Sequence, residues 1–195
     1  MKITLSNSIL DSIDSSNPDI SNNIPSEYRP YFWLKSGREH YRLLLFLSDC
    51  YKNSIISDIG TNRGASALAL SANKTNKIYS VDIIDVKKNE PIKRPENCEF
   101  IISNILEDES TFNKILESKM IFLDIDHLYT NEIKIYKKLI DSKWRGLIFC
   151  DDIHLNSEMK KFWQEVAHTK IDITKYGHGS GTGVIVMDDS ELELL

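Results

Sequence analysis

The chain has 195 residues, 41% hydrophobic and 27% charged, with a net charge of −5 and a pI near 5.6. That length suits one domain with its own core, and the acidic balance lacks the basic footprint of a nucleic-acid-binding domain. Cys50, Cys98 and Cys150 are odd in number and lack metal-ligand spacing, which points to small buried thiols in a reduced compartment.

MKITLSNSIL carries no sustained apolar leader, and the longest apolar run, LLLFL at 43–47, is too short to span a bilayer. A cytoplasmic protein off the membrane is expected. Residues 1–30 are rich in Ser, Asn, Asp, Ile and Pro, too polar for a core element; residues 1–35 are expected to form an arm or lid. The spacing of Tyr41, Leu44, Leu45 and Leu47 after Gly37 predicts a helix over 36–52. Strand-length apolar runs follow at 54–59, 77–82, 98–102, 119–124 and 146–151. Helix-like segments at 64–73, 108–118, 130–142 and 155–168 separate most of them. VKKNEPIKRPEN at 86–97 holds two prolines and four Lys/Arg, as a surface loop would. KIDITKYG and TGVIVMD, joined by HGSG, predict an antiparallel pair about a tight turn. Strand-helix alternation of this kind predicts an α/β domain over 36–195. Its sheet is mostly parallel and seven-stranded, closed by a C-terminal hairpin, with helices on both faces.

The segment SDIGTNRGASALALS, 57–71, places two glycines between a strand and a helix. A P-loop requires Lys then Ser or Thr after its second Gly, where this chain has Ala65. A dinucleotide fingerprint requires Gly-x-Gly-x-x-Gly, where this chain has Gly60 and Gly64 with Asp58 before them. A carboxylate there suits a ligand with an ammonium group, as S-adenosyl-L-methionine has. DIGTNRG thus resembles the first motif of class I methyltransferases, although a purely structural turn also fits it. Thr61, Asn62 and Ser66 join Asp58, Gly60 and Gly64 in the expected cofactor set. Asp82, about 20 residues on at the end of KIYSVD, stands where an acid binds ribose hydroxyls in such folds. The resemblance places Asn104 near the adenine.

Asp124 in MIFLDIDHLYT and Asp151–Asp152 in GLIFCDDIHLN end two strands. Carboxylates converging on one sheet edge raise one another's pKa, and a hard divalent cation relieves that. One of the pair could instead cap the next helix. LDIDHLYT…WRGLIFCDDIH resembles metal-dependent sugar O-methyltransferases of the macrocin O-methyltransferase type and, more distantly, catechol O-methyltransferase. GREHYRLLLFLS…DIGTNRGASALALS…DIDHLYT is similar to the small class I proteins of the methyltransferase domain 24 type. The resemblance covers about residues 36–187. It implies a Rossmann-like fold, S-adenosylmethionine as methyl donor, and Mg²⁺ held by Asp124, Asp151 and Asp152. It also implies O-methylation of a small acceptor, a sugar or nucleotide-linked sugar. Ile125 in place of Gly, Trp144-Arg145-Gly146 in place of a Gly-Gly turn, and an unrelated N-terminal arm depart from the macrocin pattern.

For the catalytic base, His127 beside Asp124 and Asp126 is the first candidate, oriented by Asp126 or replaced by it. His154 and His178 follow, while His40 and His168 are expected to be structural. Arg63 fits an anion anchor or a solvated loop residue equally. The alternatives left open are a metal-free N- or carboxyl-methyltransferase and an inactive nucleotide-binding scaffold. A homo-oligomer is compatible with the sequence.

Overall fold

A computed structural model of the chain describes residues 1–13, 24, 26–85 and 95–195. Residues 86–94 of the expected surface loop, and 14–23 and 25 of the expected arm, lie outside the described residues. Strands β2 (Ile55–Ile59), β3 (Lys77–Asp82), β4 (Cys98–Ile102), β5 (Met120–Leu123), β6 (Leu147–Asp151), β7 (Thr169–Asp172) and β8 (Thr182–Val186) form one sheet. Their order is β4-β3-β2-β5-β6-β8-β7, with β8 antiparallel to both neighbours and every other pairing parallel. The predicted sheet is therefore present. Its closing hairpin is wider than HGSG suggested, because residues 173–181 between β7 and β8 hold a 3₁₀ turn, Thr174–Tyr176.

Side chains alternate across the pleat and feed two cores. On one face Ile56, Phe122 and Phe149 pack against α3 (Tyr41–Cys50), through Leu43, Leu44 and Leu47, and α4 (Ala65–Leu70), through Ala67 and Leu70. On the other, Ile121, Leu123 and Ile148 meet α5 (Glu109–Leu116), α6 (Tyr129–Asp141) and α7 (Ser157–Glu165) through Phe112, Leu139 and Phe162. Asp108 caps α5 and Asn156 caps α7, each accepting backbone N–H donors. Asp151 and Asp152 are thus released from the capping role. Helix α3 starts at Tyr41 rather than Ser36, since the chain turns through Gly37 at φ +79°. Among the described residues no helix is long and apolar enough to cross a membrane, and all three cysteines are free.

The N-terminal residues differ from expectation. Strand β1 (Lys2–Leu5) pairs in parallel with β9 (Glu191–Leu194), and α1 (Asn7–Asp11) follows, with α2 (Arg29–Phe32) further on. Ile3, Leu5, Leu10 and Phe32 are fully buried in the first core. The polar composition concealed Ile3 and Leu5, each of which lies singly between polar residues. Arg42 on α3 ties this layer down. Its guanidinium donates to the carbonyls of Leu34 at 2.8 Å, Asp11 at 2.9 Å, Ile13 at 3.1 Å, Trp33 at 3.3 Å and Leu10 at 3.4 Å. It thereby satisfies carbonyls left over at the end of α1. Glu132 on α6 is the opposite case: it is 1% exposed and neither carboxylate oxygen has a hydrogen-bond partner among the described residues. Burial, with Asp124, Asp126 and Asp151 adding to it, pushes its carboxyl from 4.5 up to about 8.

Two outcomes follow from these groups. Arg42→Met removes donors that no methionine replaces, and thermal melting should show a loss of about 1–3 kcal/mol, a Tm lower by about 3–10 °C. For Glu132 the folded pKa lies above the unfolded one, so its contribution is whole below pH 4.5 and is lost as pH rises towards 8. Glu132→Gln should leave stability unchanged near pH 4.5 and raise it by on the order of 2–4 kcal/mol above pH 8. Denaturant melts at the two pH values measure the difference, and equal gains at both would contradict it.

Candidate functional site

A cavity of about 410 Å³ opens at the carboxyl ends of β2, β3, β4 and β5. Its floor is the turn after β2. Gly60 sits at φ +91°, and a Cβ there would lie 1.8 Å from the Asp124 carbonyl oxygen, so only glycine lets β2 and β5 close on each other. The Gly60 N–H donates to the Val81 carbonyl at 2.8 Å, and the Asn62 N–H donates to Asp82 Oδ2 at 2.7 Å. Asp82 Oδ1 accepts from the Ile84 N–H at 3.0 Å. Asn104 folds its own turn, accepting from the Leu106 N–H at 3.1 Å. Gly60, Asn62, Asp82, Asn104, Asp124 and His127 all stand on the cavity wall. A smaller cavity of about 80 Å³ shares Gly60, Asn62 and Asp124 and adds Tyr28, His40, Thr61, Arg63 and Ser66.

Asp58 reaches neither cavity. It is fully buried, and its Oδ2 accepts from the Ser66 hydroxyl at 3.1 Å and the Ser80 hydroxyl at 3.3 Å. Two residues before the turn, its side chain falls on the α4 face of the sheet. Gly64 precedes α4 and is likewise off both walls.

Behind Asp124 lies a cluster of acids and imidazoles. Leu123 and Cys150 are register partners, so Asp124 and Asp151 leave β5 and β6 side by side. Asp151 Oδ2 lies 3.1 Å from His40 Nδ1 and 3.4 Å from His178 Nδ1, and its Oδ1 accepts from the Thr182 hydroxyl at 3.4 Å. Asp152 Oδ1 meets His178 Nδ1 at 3.2 Å and accepts from the Ser180 hydroxyl, while its Oδ2 is 3.3 Å from His127 Nε2. His127 Nε2 is also 3.6 Å from Asp124 Oδ1. Glu39 Oε1 approaches His40 Nδ1 to 3.2 Å, and its Oε2 lies 3.8 Å from His178 Nε2. Both His127 and Asp152 hold left-handed backbone, at φ +56° and +58°, a conformation that costs about 1–3 kcal/mol off glycine and clusters at functional sites.

These contacts set the charges. Burial would raise the Asp151 carboxyl, but His40 and His178 hold it below the usual carboxylate range. Burial would keep His40 neutral, yet Asp151, then Glu39 and Asp124, raise it to about 9. Hydrogen bonding to Asp151 and Asp152 raises His178 to about 11. Asp124 moves the other way: burial, with Asp151 beside it, pushes its carboxyl well up.

The structure thus brings Asp124, Asp151, Asp152 and His127 together, as the sequence led us to expect. Three further residues have surroundings that the sequence did not indicate. Asp126 does not orient His127; it accepts from the Leu128 N–H at 3.2 Å and the Asn131 amide at 2.6 Å, organising the start of α6. His154 faces Asp172 at 2.7 Å, apart from the cluster. His40, expected to be structural, is 4% exposed, lines the smaller cavity and sits against Asp151. Sequence reasoning missed Glu39 and His40 because they precede α3 and belong to no strand end. The visible signal was a glycine two residues upstream. At Gly37 a Cβ would lie 2.8 Å from the Lys175 carbonyl, so the 37–40 turn presses on the segment that carries His178. His168 is structural, its Nδ1 at 2.7 Å from the Tyr136 hydroxyl.

No protein-family model and no curated protein sequence matches the chain. Solved structures do. A Staphylococcus aureus protein assigned as a caffeoyl-CoA O-methyltransferase is 17% identical over 75% of this chain and 81% of that one, with a TM-score of 0.56. Cofactor-bound Rv0187 from MTB is 17% identical over 76% and 80%, with a TM-score of 0.55. The SAH-bound methyltransferase PaMTH1 of Podospora anserina is 17% identical over 75% and 76%, with a TM-score of 0.55. Likeness at this identity is likeness of fold, and the chain has the Rossmann-like fold of class I S-adenosylmethionine-dependent methyltransferases.

Proposed function

We propose that the chain is an S-adenosylmethionine-dependent O-methyltransferase that works with a divalent cation, Mg²⁺ by the family resemblance. Its acceptor is a small hydroxylated molecule, a sugar or nucleotide-linked sugar. One observation carries the reading. Asp124 stands on the walls of both cavities and also within the acid-imidazole cluster. Donor, acceptor hydroxyl and cation would therefore meet at one carboxylate.

In this reading Asp82 holds the ribose hydroxyls, the Gly60–Asn62 turn faces the amino-acid end, and Asn104 borders the adenine. Asp58 acts through Ser66, steadying the turn from below. S-adenosylmethionine supplies an electrophilic methyl group on its sulfonium. Asp124, Asp151 and Asp152 fit a divalent cation by their chemistry, since they offer oxygen ligands whose mutual repulsion a cation removes. A cation held there would make a coordinated hydroxyl more acidic. His127 would take the proton of the acceptor hydroxyl as its oxygen bonds the methyl carbon and the C–S bond breaks, S-adenosylhomocysteine leaving as the neutral thioether. The His127 Nε2 faces Asp152 and Asp124, and its Nδ1 has no hydrogen-bond partner among the described residues. The part of the N-terminal arm around Glu27 and Tyr28 borders the acceptor side, a role supported by Tyr28 on the smaller cavity wall and by the contact of Glu27 with Arg63. The setting is the cytoplasm, following the reading of the free cysteines.

Two measurements test this. Calorimetry with S-adenosylhomocysteine should show Asp82→Ala weakening binding by about 1–3 kcal/mol, the effect of unpaired hydroxyl partners; unchanged affinity removes Asp82 from the site. In a methyl-transfer assay His127→Ala should lower kcat by about 10²–10⁴ with S-adenosylhomocysteine affinity intact. A near-normal kcat in that variant, with Asp126→Asn severely impaired, would hand the role to Asp126.

A further inference from the structure

Thr182 opens β8 and is fully buried beside Asp151, its register partner on β6. A buried β-branched side chain suits that strand, as Val184 and Ile185 further along it do. The hydroxyl is the part that the strand does not require. A hydroxyl has one proton to donate and two lone pairs, and the surroundings settle the use of each. Thr182 Oγ1 accepts from the His178 N–H at 2.7 Å. Its own proton is then directed at Asp151 Oδ1, 3.4 Å away. The Thr182 N–H donates to Thr174 Oγ1 at 3.2 Å, and the Thr174 hydroxyl donates to Asp172 Oδ1 at 2.6 Å, which anchors the residue from behind. The turn that carries His178 lies flush on this side chain: a Cβ at Gly177 would fall 2.3 Å from Thr182 Oγ1.

One hydroxyl thus touches both halves of the acid pair. It meets Asp151 directly, while Asp151 Oδ2 faces His40 and His178. It reaches Asp152 through the turn, because His178 Nδ1 lies 3.2 Å from Asp152 Oδ1 and the Ser180 hydroxyl donates to the same oxygen. We infer that Thr182 is a positioning residue for the acid pair, setting the direction of the Asp151 carboxylate and the place of the 177–180 turn that holds Asp152. This rests on the cation-dependent part of the proposed function and adds no ligand to it. Hydrogen bonds that orient a ligating side chain are worth about 10–100-fold in metal affinity.

The test is Mn²⁺ titrated into the metal-free full chain, with the free ion read by electron paramagnetic resonance. Thr182→Val keeps the shape and removes the hydroxyl, and it should bind Mn²⁺ about 10–100-fold more weakly. Thr182→Ser keeps the hydroxyl and removes a methyl group; it should bind Mn²⁺ as the unsubstituted chain does, even with a lower melting temperature. Thr182→Ala should behave as Thr182→Val. Ser and Ala differ at this position only in the hydroxyl, so their comparison decides the matter if Thr182→Val fails to fold. Thr182 lines neither cavity, so S-adenosylhomocysteine affinity should be equal in all variants. Unchanged Mn²⁺ affinity in Thr182→Val or Thr182→Ala overturns the inference. So does a Thr182→Ser chain as impaired as Thr182→Ala, which would make packing the cause. An unsubstituted chain that binds no Mn²⁺ refutes the cation reading itself, and the inference with it.

Discussion

Three carboxylates crowded at one sheet edge are the constraint on which the rest of this structure turns. The pairing of Leu123 with Cys150 leaves Asp124 and Asp151 side by side, and Asp152 follows at once. All three are largely removed from water, where uncompensated charge is costly. The fold meets this from both ends of the domain. His40 comes from the turn before α3, and His178 from the loop before β8. His127, on the β5–α6 loop, spans Asp124 and Asp152.

Gly60 imposes a second requirement, one of distance. The turn after β2 lies so close to β5 that a methyl group cannot come between them. The wall that carries Asp82 is thereby continuous with the wall that carries Asp124. Cavity and acid cluster are joined through backbone, so the sheet register sets their relative position directly.

Other polar and charged groups are spent on the scaffold. Arg42 gathers carbonyls from the N-terminal layer, and Asp126 and Asn156 order the starts of two helices. The Asn156 amide also donates to the His127 carbonyl at 3.2 Å, tying the two acid-bearing loops together. Glu132 has no such partner among the described residues and stays an uncompensated buried acid near the site. Conformational strain at His127 and Asp152 falls on residues that face each other across this cluster.

The sequence by itself determined the alternation of strands and helices, the parallel sheet and its closing antiparallel strand. It also located the glycine turn and the three acids at strand ends. Those features are local: period, turn chemistry and position at the end of an apolar run are written in consecutive residues. It misplaced Asp58, because a shift of two residues along a strand decides whether a side chain meets the cavity or the core. It offered Asp126 as the residue that orients His127 or replaces it, whereas the Asp126 carboxylate turns to the start of α6, because neighbours in sequence diverge around a left-handed residue. It set aside His40, and it treated residues 1–30 as core-free although Ile3, Leu5 and Leu10 are buried. Only the tertiary structure decided these. His40 lies 111 residues from Asp151 in the chain and 3.1 Å from it in space, and no local periodicity encodes a contact made by folding the two ends of a domain onto one edge of its sheet.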